Sequence, residues 1–229
     1  MPEPATSVRE ARALFGDDLL GPDEVGRVLE AEPRRLASSA PHTLETVPFD
    51  RATLEAARER RELLVFRVPS DGEQPLTVLR FADRFRDAIE AKLRKGVGYL
   101  LKDEWTLDSE RFAGTATCRL EWRLVHREPI AATCNLSFDL QEAALARHAA
   151  SLGLTDKLRR RSAIEIVYDT ILFARARGVR LLERWWDWSD TPTMDGGYVT
   201  AGEFGAGGLH VLGYSRAVRF GTLGICPQH

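Results

Sequence analysis

The chain has 229 residues, 44% of them hydrophobic and 29% charged, with a formal net charge of −2. A chain of this size buries roughly 70% of its unfolded surface and needs no disulfide or metal to hold a core. The charge balance argues against wholesale neutralisation of a nucleic-acid backbone, which calls for a basic excess, although it leaves room for a local basic stripe.

The first residues, MPEPATSVREARALFG, place acid and two prolines ahead of any apolar run, so no signal peptide is expected. No stretch approaches eighteen apolar residues, so no membrane span is expected. A first short helix is read near Val8–Phe15, and a second opens at Gly21-Pro22-Asp23-Glu24. There Pro22 suits the first helical position and the acids favour the positive end of the dipole. Residues 33–48 carry Pro33, Ser38, Ser39, Pro41 and Pro48 and read as a loop. Asp50 is placed to cap a helix over 51–61. The β-rich run 63–68 reads as a strand ended by Pro69-Ser70-Asp71-Gly72. Thr77 is placed to cap a helix whose stripe Val78, Phe81, Ala82, Phe85, Ala88, Ile89 and Leu93 runs to Gly96.

Residues 117–126 alternate, with Cys118, Leu120, Trp122 and Leu124 on one side and Arg119, Glu121 and Arg123 on the other, the pattern of a half-buried strand. A helix over 137–152 stops at Gly153. Another opens with Ser162-Ala163-Ile164-Glu165, a capping box, and stops at Gly178. The segments 181–188, 198–204, 209–214 and 217–226 read as short strands separated by glycine-rich turns, an antiparallel meander. The expected class is α+β: a mostly helical portion over 1–96, then a β-α-α-β-β-β-β module over 97–229, with the two portions open to being one continuous domain.

The candidate chemistry thins out under inspection. Gly213-Tyr214-Ser215-Arg216-Ala217 lacks the final glycine and the following acid and histidine of a nucleophile elbow. His126-Arg127-Glu128 with Cys134 lacks the second cysteine of a zinc deaminase. Cys118, Cys134 and Cys226 have no metal-site or disulfide spacing, which fits reduced thiols. Lys157-Leu158-Arg159-Arg160-Arg161 reads as a solvated linker face. Asp169, Glu165, His148 and His210 are the first choice for an enzyme built from distant residues, and Asp169 is expected to face water. No catalytic residue, metal ligand or cofactor is assigned. The 28 Arg against 4 Lys fit a G+C-rich coding sequence, or heavy use of planar forks for carboxylate and phosphate.

Trp185-Trp186-Asp187-Trp188 stands out. In a strand, Trp186 and Trp188 share one face and Trp185 takes the other. Such rings either pack a strand buried on both sides or form a binding surface. On the second reading the binding residues are Trp185, Trp186, Trp188, Asp187, Tyr198, Phe204 and His210.

The strings Gly21-Pro22-Asp23-Glu24-Val25, Glu121-Trp122-Arg123-Leu124-Val125, Val167-Tyr168-Asp169, Trp186-Asp187-Trp188-Ser189, Gly205-Ala206-Gly207-Gly208 and Leu223-Gly224-Ile225-Cys226 resemble a family of bacterial proteins without an assigned activity. The resemblance implies no site residue and no mechanism. The functional expectation is a non-enzymatic protein–protein interaction or assembly protein of the bacterial cytoplasm, with a protein partner or a second copy of itself. The alternative is a small-ligand or glycan-binding module using the tryptophan cluster.

Overall fold

A computed structural model describes residues 5–85, 107–154, 158–205 and 208–229. In chain order the helices are α1 (Val8–Phe15), α2 (Pro22–Leu29), α3 (Pro33–Leu36), α4 (Arg51–Glu59), α5 (Val78–Arg84), α6 (Arg111–Thr115), α7 (Phe138–Ser151) and α8 (Ala163–Arg177). The strands are β1 (Thr6–Ser7), β2 (Leu19–Leu20), β3 (Thr46–Val47), β4 (Glu62–Arg67), β5 (Glu121–His126), β6 (Trp186–Pro192), β7 (Tyr198–Gly205), β8 (Gly208–Tyr214) and β9 (Leu223–Gly224). The protein is α+β, with a helical N-terminal part.

Local signals account for most of these boundaries. Ser7 and Glu10 close a reciprocal capping box on α1. Asp50 accepts from Thr53 N–H at 2.7 Å, and Thr77 accepts from Arg80 N–H at 3.2 Å. Ser162 and Glu165 form the box on α8, and Gly178 ends that helix at φ 69°, a left-handed turn that suits glycine. The expected continuation of α5 to Gly96 lies outside the described residues.

Three sheets result. β1 pairs with β3; β2, β4 and β5 form the second; the third runs β8-β7-β6-β9. β4 pairs antiparallel with β5 in unbroken register from Glu62↔His126 to Arg67↔Glu121. The portions 1–96 and 97–229 therefore share a sheet, and one apolar core extends from Ala11 to Cys226. A division at 96–97 would cut through both.

Four segments differ from the sequence reading. The strand expected over 117–126 begins only at Glu121. Residues 33–48 are not all loop: Pro33 opens the short α3, and Thr46–Val47 pairs with β1. The strand read over 181–188 begins only at Trp186. Before it, Leu182 has φ 58°, and its carbonyl accepts from Trp185 and Phe204, so this stretch is a turn hooked onto β7. Gly202 permits that approach, since a Cβ there would lie 2.1 Å from the Trp185 carbonyl oxygen. Residues 217–226 supply only β9, which pairs parallel with β6, so only β6–β7–β8 form the antiparallel meander. Beyond these four, Ile225–His229 is held in place. Leu124 and His229 exchange both backbone hydrogen bonds at 3.0 Å, as do Arg159 and Gln228 at 3.0 and 2.9 Å, so the tail lies as a strip between β5 and the segment before α8.

Candidate functional site: a buried ion chain and an arginine-lined groove

The tryptophans that dominate the sequence point inward. Trp186 and Trp188 do share a face, as the strand period requires, but Trp188 is fully buried and Trp186 is 6% exposed. Phe138 of α7, Leu212 and Leu223 cover them. Tyr198 stacks on Phe138 at 3.8 Å, and His210 meets the edge of Trp186 at 5.6 Å, with Glu203 3.4 Å from its Nδ1. Phe204 belongs to the main core, against which the half-buried Trp185 packs. The tryptophan pattern is that of a strand covered on both sides, so the motif that suggested a sugar or ligand surface is used for packing.

Asp187, on the opposite face of β6 from Trp186 and Trp188, enters the most concentrated charge cluster in the interior. Its Oδ2 accepts from Arg161 Nε and Nη2 at 3.1 and 2.8 Å, and its Oδ1 accepts from the Cys226 N–H at 2.8 Å. Arg161 Nη1 reaches Asp169 Oδ2 at 2.8 Å. Arg67, on β4, grips Asp169 with both arms of its fork at 2.8 and 2.6 Å, and also reaches Glu165 at 2.9 Å and Gln228 Oε1 at 2.5 Å. Arg67, Asp169 and Asp187 are all fully buried. The result is one chain of alternating charge, Glu165–Arg67–Asp169–Arg161–Asp187, that ties the β2-β4-β5 sheet, α8, β6 and the C-terminal strip together.

Two sequence expectations are corrected here. Asp169 does not face water, because two guanidinium groups hold it in the core. The basic run is no solvated linker: Leu158, Arg160 and Arg161 are buried. Arg160 lies 4.1 Å over the Phe138 ring, donates to the carbonyls of Trp188 and Phe138 at 3.1 and 3.0 Å, and pairs with Glu142. The arginine surplus is thus used, in part, as planar forks. Burial alone would raise the Glu165 carboxyl; Arg67, the Ser162 N–H and Arg159 pull it down instead, to about 2. The Cys118 and Cys226 thiols are pushed well up by burial, which makes them poor nucleophiles. His148 and His210 do not converge with Glu165 and Asp169. His148 instead stands edge-on to His126 at 5.9 Å.

The open chemistry lies elsewhere. α4 ends in Arg58-Glu59, and Arg60 and Arg61 follow before β4. Arg61 adopts φ 60°, turning the chain into the strand. With Asp18, His126, Arg127 and Glu128 these arginines line a hollow of about 620 Å³. A second hollow, of about 410 Å³, shares Arg127 and Glu128 with the first and continues past Arg180, Glu183, Arg184 and Trp185. We treat the two adjoining hollows as one groove: its lining holds six arginines against three carboxylates, and with Glu62, bonded to Arg60 from behind, the formal excess is two positive charges.

The wall is held from behind. Glu62, fully buried, receives Arg60 Nε at 2.6 Å and lies 3.1 Å from His126 Nε2 and 3.0 Å from His229 Nε2. Burial works to raise this carboxyl, but His126, His229 and Arg60 hold it below the usual carboxylate range. Arg127 packs over the Phe173 ring at 5.5 Å and pairs with Asp18, and Arg58 donates to the Leu14 carbonyl at 3.2 Å. Arg61 and Arg184 are exposed and, among the described residues, make no ion pair. Among the described residues that line the two hollows there is no hydroxyl, thiol or lysine; the lining presents guanidinium forks suited to anions, together with His126 and three carboxylates.

Sequence reasoning missed this groove. Its arginines come from three separate stretches, and the only local hint was Arg58-Glu59-Arg60-Arg61. Among the described residues no group of three histidine, cysteine or acidic side chains is placed to hold a metal ion, and no helix is long and apolar enough to cross a membrane. In comparisons with known proteins, no family model, curated protein or solved structure matches the chain.

Proposed function

We propose that the protein is a non-enzymatic protein–protein interaction protein and that its working surface is the arginine-lined groove, which receives a negatively charged region of a partner. One observation carries this reading: six arginines from the end of α4 and the turn after it, the end of β5 and the 180–184 turn line two adjoining hollows that share Arg127 and Glu128, and keep an excess of positive charge there. Elsewhere the conspicuous charges, Arg67, Arg161, Asp169 and Asp187, are consumed by one another inside the core. Surface forks in a concave, partly screened setting raise the on-rate and set the orientation of an oppositely charged partner.

The test is fluorescence anisotropy with a fluorescein-labelled deca-glutamate peptide at low and high salt. Binding is expected at low salt, weakening as salt rises, and falling about tenfold or more in Arg61→Glu/Arg184→Glu, since reversing two unpaired charges removes at least 1.4 kcal/mol of attraction. Absence of binding at an ionic strength of about 0.01 M, where the Debye length is about 30 Å, would refute the reading.

A further inference from the structure

We infer that Asp18 is a placeholder in this groove: it occupies, with a carboxylate of the protein's own, the seat between Arg127 and Arg58 into which an acidic side chain of the partner docks. The inference rests on the reading of the groove as a partner-binding surface, and it names the partner's chemistry as an acidic polypeptide segment.

The seat exists independently of Asp18. Arg58 is anchored through Nε to the Leu14 carbonyl at 3.2 Å, and Arg127 lies against the Phe173 ring at 5.5 Å. Both guanidinium groups therefore stay in place when the carboxylate between them leaves. Asp18 itself is held by one arginine rather than two. Its Oδ1 accepts from Arg127, while its Oδ2 is 3.6 Å from Arg58 Nη1, an electrostatic contact too long for a hydrogen bond. Its side chain keeps 17% of its surface in solvent. It sits at the end of the short turn Gly16–Asp18, immediately before β2, whose Leu19 and Leu20 pair with Leu64 and Val65. The backbone is fixed by that pairing, so exchange requires that the Asp18 side chain give up its bond to Arg127 and rotate outward, an acidic group of the partner taking its place on Arg127. Arg61, exposed and unpaired among the described residues, lines the same hollow and supplies a second fork for the incoming segment.

The present occupant also argues for the class of the next one. A seat that closes on a carboxylate is sized for a carboxylate. Glu128 and Glu183 line the same groove as the arginines, and their charges oppose a continuous phosphate backbone more than a peptide whose acids are spaced. The net charge of −2 points the same way.

The experiment measures the affinity of the full chain for the labelled deca-glutamate peptide at low salt, in parallel with a labelled deca-thymidylate. Asp18→Asn and Asp18→Ser are each expected to bind the peptide about five- to tenfold more tightly than the unsubstituted protein, because the competitor has been removed. Asp17→Asn removes the same charge from the neighbouring side chain, which is 97% exposed and outside the hollow, and is expected to change affinity less than twofold. Thermal melting checks that each variant is folded. Equal gains from Asp17→Asn and Asp18→Asn would reduce the effect to net charge and overturn the placeholder. No gain from either Asp18 variant, with Arg61→Ala still weakening the peptide, would overturn the placeholder and leave the groove standing. Absence of peptide binding in every variant would overturn both. Tighter binding of deca-thymidylate than of the peptide would overturn the assignment to an acidic polypeptide.

Discussion

Replacing Arg67 by Met tests whether the buried ion chain holds the sheet and α8 together. The substitution keeps most of the side-chain volume and removes the guanidinium. Asp169 then retains only Arg161 at 2.8 Å, and Glu165 retains Arg159, whose side chain is 42% exposed. Two bonds to Asp169, one to Glu165 and one to Gln228 are lost at a fully buried site. Breaking a buried pair by removing one partner costs about 3–5 kcal/mol, mostly because the remaining carboxylate is left under-compensated. Against a total stability of about 5–15 kcal/mol this is a large share. For a chain of this size it corresponds to a fall in Tm of roughly 6–20 °C. Urea denaturation followed by tryptophan fluorescence reads the loss directly, as a lower midpoint at unchanged slope. A loss below about 1 kcal/mol would refute the view of this chain as a continuous electrostatic tie. The double variant Arg67→Met/Asp169→Leu removes both charges, and it is expected to recover stability relative to Arg67→Met alone, since an apolar replacement for a whole buried pair is often neutral.

Acid should weaken the fold through the same interior. Glu165 titrates near 2 in the folded protein against an ordinary value of 4.5, so its contribution is complete above pH 4.5 and fades as pH falls toward 2. The shift corresponds to about 3 kcal/mol at most, and Glu62, also held low, acts with the same sign. Stability by urea titration at pH 6 and pH 3 checks this; equal stabilities would contradict it. The thiols should sort by burial. Cys118 and Cys226 are expected to react with an aromatic disulfide reagent only after denaturant is added, whereas the half-buried Cys134 reacts slowly in the native protein. Three equivalents released at once without denaturant would show that the interior is open.

Local signals in the sequence were sufficient where one residue decides the outcome. Asp50, Thr77 and Ser162 each began a helix, and Gly178 ended one. The alternation of Trp122 and Leu124 with Arg123 gave β5 its two faces. What stayed hidden depends on distant partners. Asp169 reads as a solvent-facing acid on α8 until Arg67 arrives from 102 residues away. Arg160 and Arg161 read as a solvated run until Phe138 and Asp187 appear around them. The tryptophans could be assigned to shared faces, but only the tertiary fold shows that Phe138 and Leu223 cover them. The groove has no local signature beyond Arg58-Glu59-Arg60-Arg61, because arginine distributed over three chain segments resembles ordinary surface until the fold gathers it.

The interior chain and the groove are set apart by one physical fact, the strand period of two. Glu62 and Arg67 lie five residues apart on an unbroken strand, so their side chains take opposite faces of the β4–β5 pair. Glu62 stands with its partner His126 behind the groove wall, and Arg67 stands with its partner Glu121 on the side of α8. The C-terminal strip repeats the split: Gln228 bonds to Arg67 and Glu165, while His229 reaches Glu62. A one-residue slip of register would exchange the two sets, so the register that buries Arg67 also fixes Glu62 beneath the groove. The two functions are thereby separable by substitution. Arg67→Met, assayed well below its melting temperature, is expected to keep the deca-glutamate affinity within about twofold, because no groove-lining side chain has lost a partner. Arg61→Ala is expected to weaken that affinity while leaving the urea midpoint nearly unchanged, since an exposed, unpaired arginine contributes little to folding. Loss of peptide binding in folded Arg67→Met would mean that the two faces of the sheet are coupled, and the groove could then not be treated as a surface feature independent of the core.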